Sequence, residues 1–173
     1  MDLAVEYDCK DGVLTTTRDR RNKVIEFYRA GDEYGCFSNF SDHGFFLKDR
    51  YWSSSEHYFQ AQKFVGTEHE ETVRLAATPK EAAQLGRSRD LPLRPDWASI
   101  KEEIMKEAVL AKFRTHLDIR QILLSTGTQE IVEASPIDYY WGCGADRTGK
   151  NALGLVLMEV RSILADENEP KST

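Results

Sequence analysis

The stretch Trp52-Ser53-Ser54-Ser55-Glu56-His57-Tyr58-Phe59-Gln60-Ala61-Gln62-Lys63-Phe64 decides how this chain is read. Ser53 followed three residues later by Glu56 is the capping-box pattern, so a helix is predicted over residues 53–65. Positions 56, 60 and 63 are related by i, i+4 and i+7, which puts Glu56, Gln60 and Lys63 on one face. Tyr58, Phe59 and Phe64 cover much of the remainder, so this helix is expected to be buried on several sides. Two readings stand at this point. Either Glu56 merely closes the cap and Lys63 is a surface lysine, or a carboxylate and an amine about 10.5 Å apart along the axis share one pocket.

Upstream, Lys23 to Tyr28 alternates as a strand, Gly31 to Phe40 reads as a glycine- and aromatic-rich loop, and Phe45 to Trp52 as a strand pair. Before them, Val5 to Cys9 and Val13 to Thr17 flank an Asp11-Gly12 turn signal and are expected to form a hairpin. Downstream, Thr78-Pro79 with Glu81 starts a helix that Gly86 stops. Helices are predicted over 99–116, 118–125 and 151–164, with a short strand over 130–134. These elements give an α+β fold, a predominantly helical single domain with a few short strands. The domain is expected over residues 23–166, between an extension over 1–22 and a disordered tail over 167–173.

The 173 residues are enough for one core, and 40% hydrophobic with 30% charged residues is a globular composition. A net charge of -6 argues against a protein that holds nucleic acid mainly through phosphate contacts, while a nucleic-acid substrate stays open, with the basic stretch Arg18, Arg20, Arg21 and Lys23 able to meet a few phosphates. Three separated cysteines suggest neither a disulfide framework nor a zinc site, and the four histidines lack ligand spacing. No metal, no cofactor and no membrane span are therefore expected. A monomer in a reducing compartment is expected, the cytoplasm or alternatively the nucleus.

The loop Asp138 to Lys150 carries the second concentration of signals. Gly144 to Asn151 nearly matches a phosphate-binding P-loop, but Asn151 stands where a hydroxyl residue would hold magnesium, and no apolar parallel strand precedes it. The loop is read instead as an anion seat, with backbone amides freed by Gly142, Gly144 and Gly149 just ahead of a helix beginning near Asn151. Trp141 offers a stacking face for a base and Asp138 an acceptor for a hydroxyl or a base edge. For each, a purely local packing or turn role stands beside the functional one.

Assembled, these stretches resemble the NADAR family, also called YbiA-like. The resemblance is carried by Tyr34 to Phe40, Trp52 to Phe64, Arg94-Pro95-Asp96-Trp97 with Met105 and Lys112-Phe113, Trp141 to Gly144, and Asn151 to Gly154. It spans about Ile25 to Leu164 and implies hydrolysis of N-glycosidic bonds. Some members of that family act on phosphorylated ribosylamine intermediates of riboflavin synthesis, others remove ADP-ribose from guanine bases. By this resemblance Glu56 and Lys63 match the catalytic helix, Asp138 and Trp141 the substrate loop, Ser38, Asn39 and Phe40 the pocket wall, and Trp97 another pocket aromatic. The implied partner is an ADP-ribose-containing substrate, ADP-ribosylated DNA or RNA included.

Cleaving ribose C1 from a base nitrogen builds positive charge on the sugar, which a carboxylate such as Glu56 stabilises. Lys63 as a neutral amine is the candidate to attack C1 and form a ring-opened Schiff base. That role needs its pKa depressed by roughly three units from about 10.4. A binding module that holds ADP-ribose without turning it over is the rival expectation.

Overall fold

In the computed structural model, which describes residues 24–168, the decisive helix starts one residue later than the capping-box reading places it. Ser54, not Ser53, is the cap: its hydroxyl accepts from the backbone N–H of His57 at 3.4 Å. Glu56 is therefore released from the cap. The α-helix, α1, runs Ser55–Ala61 and tightens into a 3-10 turn over Gln62–Phe64, so Lys63 sits on a shorter-pitched turn than predicted. Every residue of α1 is buried.

Around it stand α2 (Glu68–Arg74), α3 (Pro79–Gly86) and α4 (Trp97–Thr115), followed by α5 (Leu117–Ser125) and α6 (Ala152–Asn168). Helix α2 is absent from the sequence reading because only Val73 of its seven residues is buried, which leaves no apolar stripe. Its start was nevertheless encoded: the Thr67 hydroxyl accepts from His69 N, and three glutamates fill the first turn. Helix α3 begins as predicted, with Thr78 accepting from Glu81 N at 3.1 Å and Pro79 in the first turn. Helix α6 continues to Asn168, two residues beyond the predicted domain end. The hairpin expected over residues 5–9 and 13–17 lies outside the described residues.

The strands are short. β1 (Ile25–Phe27) pairs in parallel with β4 (Ile131–Glu133), in a register of Ile25 with Ile131 and Phe27 with Glu133. β2 (Phe45–Leu47) and β3 (Arg50–Trp52) form the predicted antiparallel pair. The two residues joining them, Lys48 and Asp49, have φ of 53° and 61°, the backbone a two-residue type I′ turn requires. Fold class is thus as read: helical, with two small sheets.

The core gathers between α1, α4 and α6. Phe37, Trp52, Tyr58, Phe64 and Phe113 are essentially inaccessible. Burial of each such aromatic phenylalanine stabilises the fold by roughly 1.5–3 kcal/mol. Lys112 shares that interior at 0% exposure. Its ammonium donates to the carbonyls of Cys36 at 2.7 Å and Ser38 at 3.1 Å, and to Ser41 Oγ at 3.2 Å. Three donors meeting three acceptors make the lysine a pin that fixes the loop around Ser38 to α4. Among the described residues, no helix is long and apolar enough to cross a membrane.

Candidate active site

A cavity of about 310 Å³ opens where α1, the start of α4, the end of β4 and the loops at 38–40 and 138–141 meet. Eight of the residues named from sequence line it: Ser38, Asn39 and Phe40 on one wall, Glu56 and Lys63 on the α1 side, Trp97 from α4, and Asp138 with Trp141 opposite.

Glu56 sits at 5% exposure, and its Oε1 accepts from Gln60 Nε2 at 2.7 Å. Burial pushes its carboxyl above the ordinary carboxylate range, against the opposing pulls of Gln60, Arg87 and Lys63. The helix holding it is tied to the pocket wall, since Glu56 N donates to Asn39 O at 3.1 Å. Lys63 donates from Nζ to the carbonyl of Gly86, at the end of α3, at 2.8 Å. Burial lowers its pKa; Glu56 opposes that shift and Arg87 adds to it. The acid and the amine thus face one cavity with separate partners.

The aromatic wall is built from three elements. Phe59 of α1 lies 5.0 Å from Trp97 and 5.2 Å from Trp141, and the Lys63 ammonium sits 5.6 Å above the Trp97 ring. The Arg94-Pro95-Asp96-Trp97 motif is what places Trp97. Arg94 N donates to Lys63 O at 3.0 Å and its guanidinium to Gln62 O at 3.4 Å, so the turn is anchored on the segment that carries the amine.

The glycine loop is largely closed on itself rather than open as an anion seat, because most of its amides already donate to loop carbonyls. Gly144 N donates to Asp138 O, Gly149 N to Cys143 O, Lys150 N to Tyr139 O, Asn151 N to Gly142 O and Ala152 N to Tyr140 O. Gly142, Gly144 and Asn151 accordingly lie outside the cavity lining. Gly142 is packed so closely that a Cβ there would stand 2.8 Å from Ser135 Cβ and 2.9 Å from Glu133 O. Gly144 has φ +71° and sits against the Tyr139 ring. Asn151 instead clamps β4, accepting from Glu133 N at 3.0 Å and donating to Ile131 O at 2.9 Å, and it borders a separate cavity of about 220 Å³. Asp138 is half committed as well: its Oδ1 accepts from the N–H groups of Tyr140 and Trp141, both at 2.8 Å, which shapes the loop that presents Trp141.

Sequence reasoning passed over Glu133, Arg87, Lys101 and Tyr140, all of which line the cavity. Glu133 ends β4 at the carboxyl end of the parallel pair, the end where ligands gather in parallel sheets. Its signal was present as a lone acid closing the apolar Ile131-Val132 run. Burial, with Asp138 and Glu56 near it, raises its carboxyl to about 7. Arg87 and Lys101 have no carboxylate within 4 Å among the described residues, and the Lys101 ammonium rests 3.5 Å from the Tyr140 ring centroid. His57, adjacent to Glu56, turns away: Nε2 donates to Ala76 O at 3.1 Å, which leaves Nδ1 to accept from Ser54 at 2.8 Å.

Comparison with known proteins decides the family. The NADAR domain matches residues 26–165. The chain belongs to the NADAR family. This NADAR protein is 55% identical over 141 residues to an N-glycosidase of Nostoc punctiforme, covering 80% of this chain and 90% of that one. It is 44% identical over 147 residues to N-glycosidase YbiA of Escherichia coli (strain K12), covering 85% and 92%. The NMR structure of the E. coli protein YbiA matches it with a TM-score of 0.82 at 42% identity, over 88% of this chain and 91% of that one. A maize protein, "Riboflavin biosynthesis protein PYRR, chloroplastic", is 41% identical over 154 residues, although the NADAR match spans only 25% of its length.

Proposed function

We propose that this protein is an N-glycosidase that cuts the bond between ribose C1 and a base nitrogen in ADP-ribosylated guanine, carried on nucleic acid or on a nucleoside. The observation that carries the reading is the meeting, in one aromatic-walled cavity, of a sealed carboxyl and a desolvated amine. Burial raises Glu56 and lowers Lys63, so both shifts favour passing the lysine proton to the carboxyl. The neutral amine is then the nucleophile at C1, and water releases the sugar from the resulting Schiff base. Phe59, Trp97 and Trp141 supply faces for the base, and the diphosphate outside meets the cations of Arg87 and Lys101, neither paired with a carboxylate among the described residues. The cavity is near the small end of ligand pockets, which suits the sugar–base junction rather than a whole ADP-ribose.

A second reading, cleavage of a phosphorylated ribosylamine of riboflavin synthesis, is favoured by the name of the maize relative. Four substrates separate the readings: ADP-ribosylated guanine in DNA, in RNA and as the nucleoside, and a ribosylamino-pyrimidine phosphate, each followed by mass spectrometry. Release of ADP-ribose from the first three, leaving unmodified guanine in the DNA, RNA or nucleoside, is the expected result. Cleavage of the fourth alone selects the riboflavin reading, and binding with no release makes the protein a reader.

A further inference from the structure

Three carboxyl groups line the cavity, and they differ in what the protein gives them. Glu56 is held by Gln60, and Asp138 by two amides of its own loop. Among the described residues the Glu133 Oε2 has no hydrogen-bond partner, and it is sealed from solvent. Its backbone, by contrast, is fixed on both sides: N donates to Asn151 Oδ1 at 3.0 Å and O accepts from Cys143 N at 2.9 Å. A rigidly mounted acid with a dry, unpaired oxygen at the wall of a reaction chamber calls for a role.

We propose that Glu133 donates the proton that the departing base nitrogen takes up; the assignment rests on the N-glycosidase reading above. The geometry supports the neutral form. A carboxylate oxygen sealed without a donor is costly, whereas the protonated acid carries no charge to desolvate. Glu56 from α1 and Asp138 from its loop face it with further acidic groups, while Lys63, Arg87 and Lys101 line other parts of the cavity. Burial and those two acids put its titration at about 7, poised to give a proton and retake it.

The step balances as follows. The Lys63 nitrogen bonds C1 as the C1–N bond to the base breaks, that bond's electron pair stays on the base nitrogen, and the base nitrogen takes the Glu133 proton. Water later delivers hydroxyl to C1, the C1–Lys63 bond breaks to free the amine, and the water's remaining proton restores Glu133. The division of labour leaves Glu56 and Lys63 for the sugar carbon and Glu133 for the leaving group, in the manner of environments that set two carboxyls apart.

The test compares leaving groups that do and do not need a proton. Wild type and Glu133→Gln are assayed on ADP-ribosyl guanosine and on an ADP-ribose carrying 4-nitrophenolate at C1. We expect E133Q to lose about 100-fold or more in kcat on the guanosine conjugate, but under about threefold on the nitrophenyl one. Wild-type kcat on guanosine should fall as pH rises through about 7, with no such fall for nitrophenolate, a readout independent of how the variant folds. Equal losses on both substrates, or no loss on either, overturn the assignment. A wild type inert toward both conjugates fails before any variant is made; it removes the ADP-ribosyl-guanine reading and this proposal with it.

Discussion

Lys63 Nζ donates to the carbonyl of Gly86 at 2.8 Å, so the amine proposed as the nucleophile is aimed by the end of α3. A carbonyl fixes direction without neutralising the charge, whereas a bonded carboxylate would hold the lysine as an ammonium.

Replacing Lys63 by alanine should reduce turnover by about 10³-fold or more while ADP-ribose binding stays measurable. Borohydride added during turnover should leave a sugar on the wild-type chain only, seen as a mass increase. Full activity in Lys63→Ala ends the Schiff-base route.

Gly86 also makes room for the partner of Glu56. A Cβ at position 86 would stand 2.0 Å from Gln60 Oε1 and 2.7 Å from Gln60 Cβ. Gly86→Ala should therefore push α3 from α1, with a loss of about 1–3 kcal/mol in urea unfolding and a drop in kcat as the carbonyl leaves Lys63. Unchanged stability and kcat together would mean that Gln60 yields freely.

Lys112 predicts a different signature. Lys112→Met keeps the volume but leaves the carbonyls of Cys36 and Ser38 and the Ser41 hydroxyl without their donor. The expected cost is about 3–5 kcal/mol, with KM rising as the Ser38–Phe40 wall loosens. A KM equal to wild type in a folded Met variant would show that the wall stands without its pin.

The buried acid at the end of β4 leaves a mark on stability versus pH. Its folded pKa, about 7, is above its ordinary 4.5, so the folded chain binds more protons between those values. The stabilising contribution is complete below about pH 4.5 and is lost as pH rises through about 7. Relative to wild type, Glu133→Gln should thus gain on the order of 1–3 kcal/mol between pH 5 and pH 8. Parallel melting curves across that range would contradict it.

What sequence could and could not reveal follows from how each signal is encoded. Helix periodicity and turn residues are local, so α1, α3, α4 and the β2–β3 turn were legible; α2, with one buried side chain, left no stripe to read. A one-residue error in the cap, Ser53 for Ser54, was enough to leave the role of Glu56 ambiguous. At the site, Glu56 and Lys63 were read from helix spacing and Trp141 from the glycine loop, each seconded by motif resemblance, and Trp97 came from resemblance alone; their convergence depends on contacts across the whole chain. Glu133 offered only one acid in a three-residue strand, and its burial against Asp138 is invisible in one dimension. Asn151 was misjudged for the opposite reason. Its place between a glycine loop and a helix looked like ligand chemistry, but its side chain serves the β4 backbone.

The closure of the glycine loop upon its own carbonyls has one more consequence. With most loop amides spent on the loop's own carbonyls, capture of an anionic substrate is expected to fall to the exposed guanidinium of Arg87 and the partly buried ammonium of Lys101. Attraction by such groups is screened over about 10 Å at 0.1 M salt. Ionic strength should accordingly govern how readily the molecule is caught and let go, with KM climbing as salt is added, while the rate of bond cleavage in the dry interior stays level.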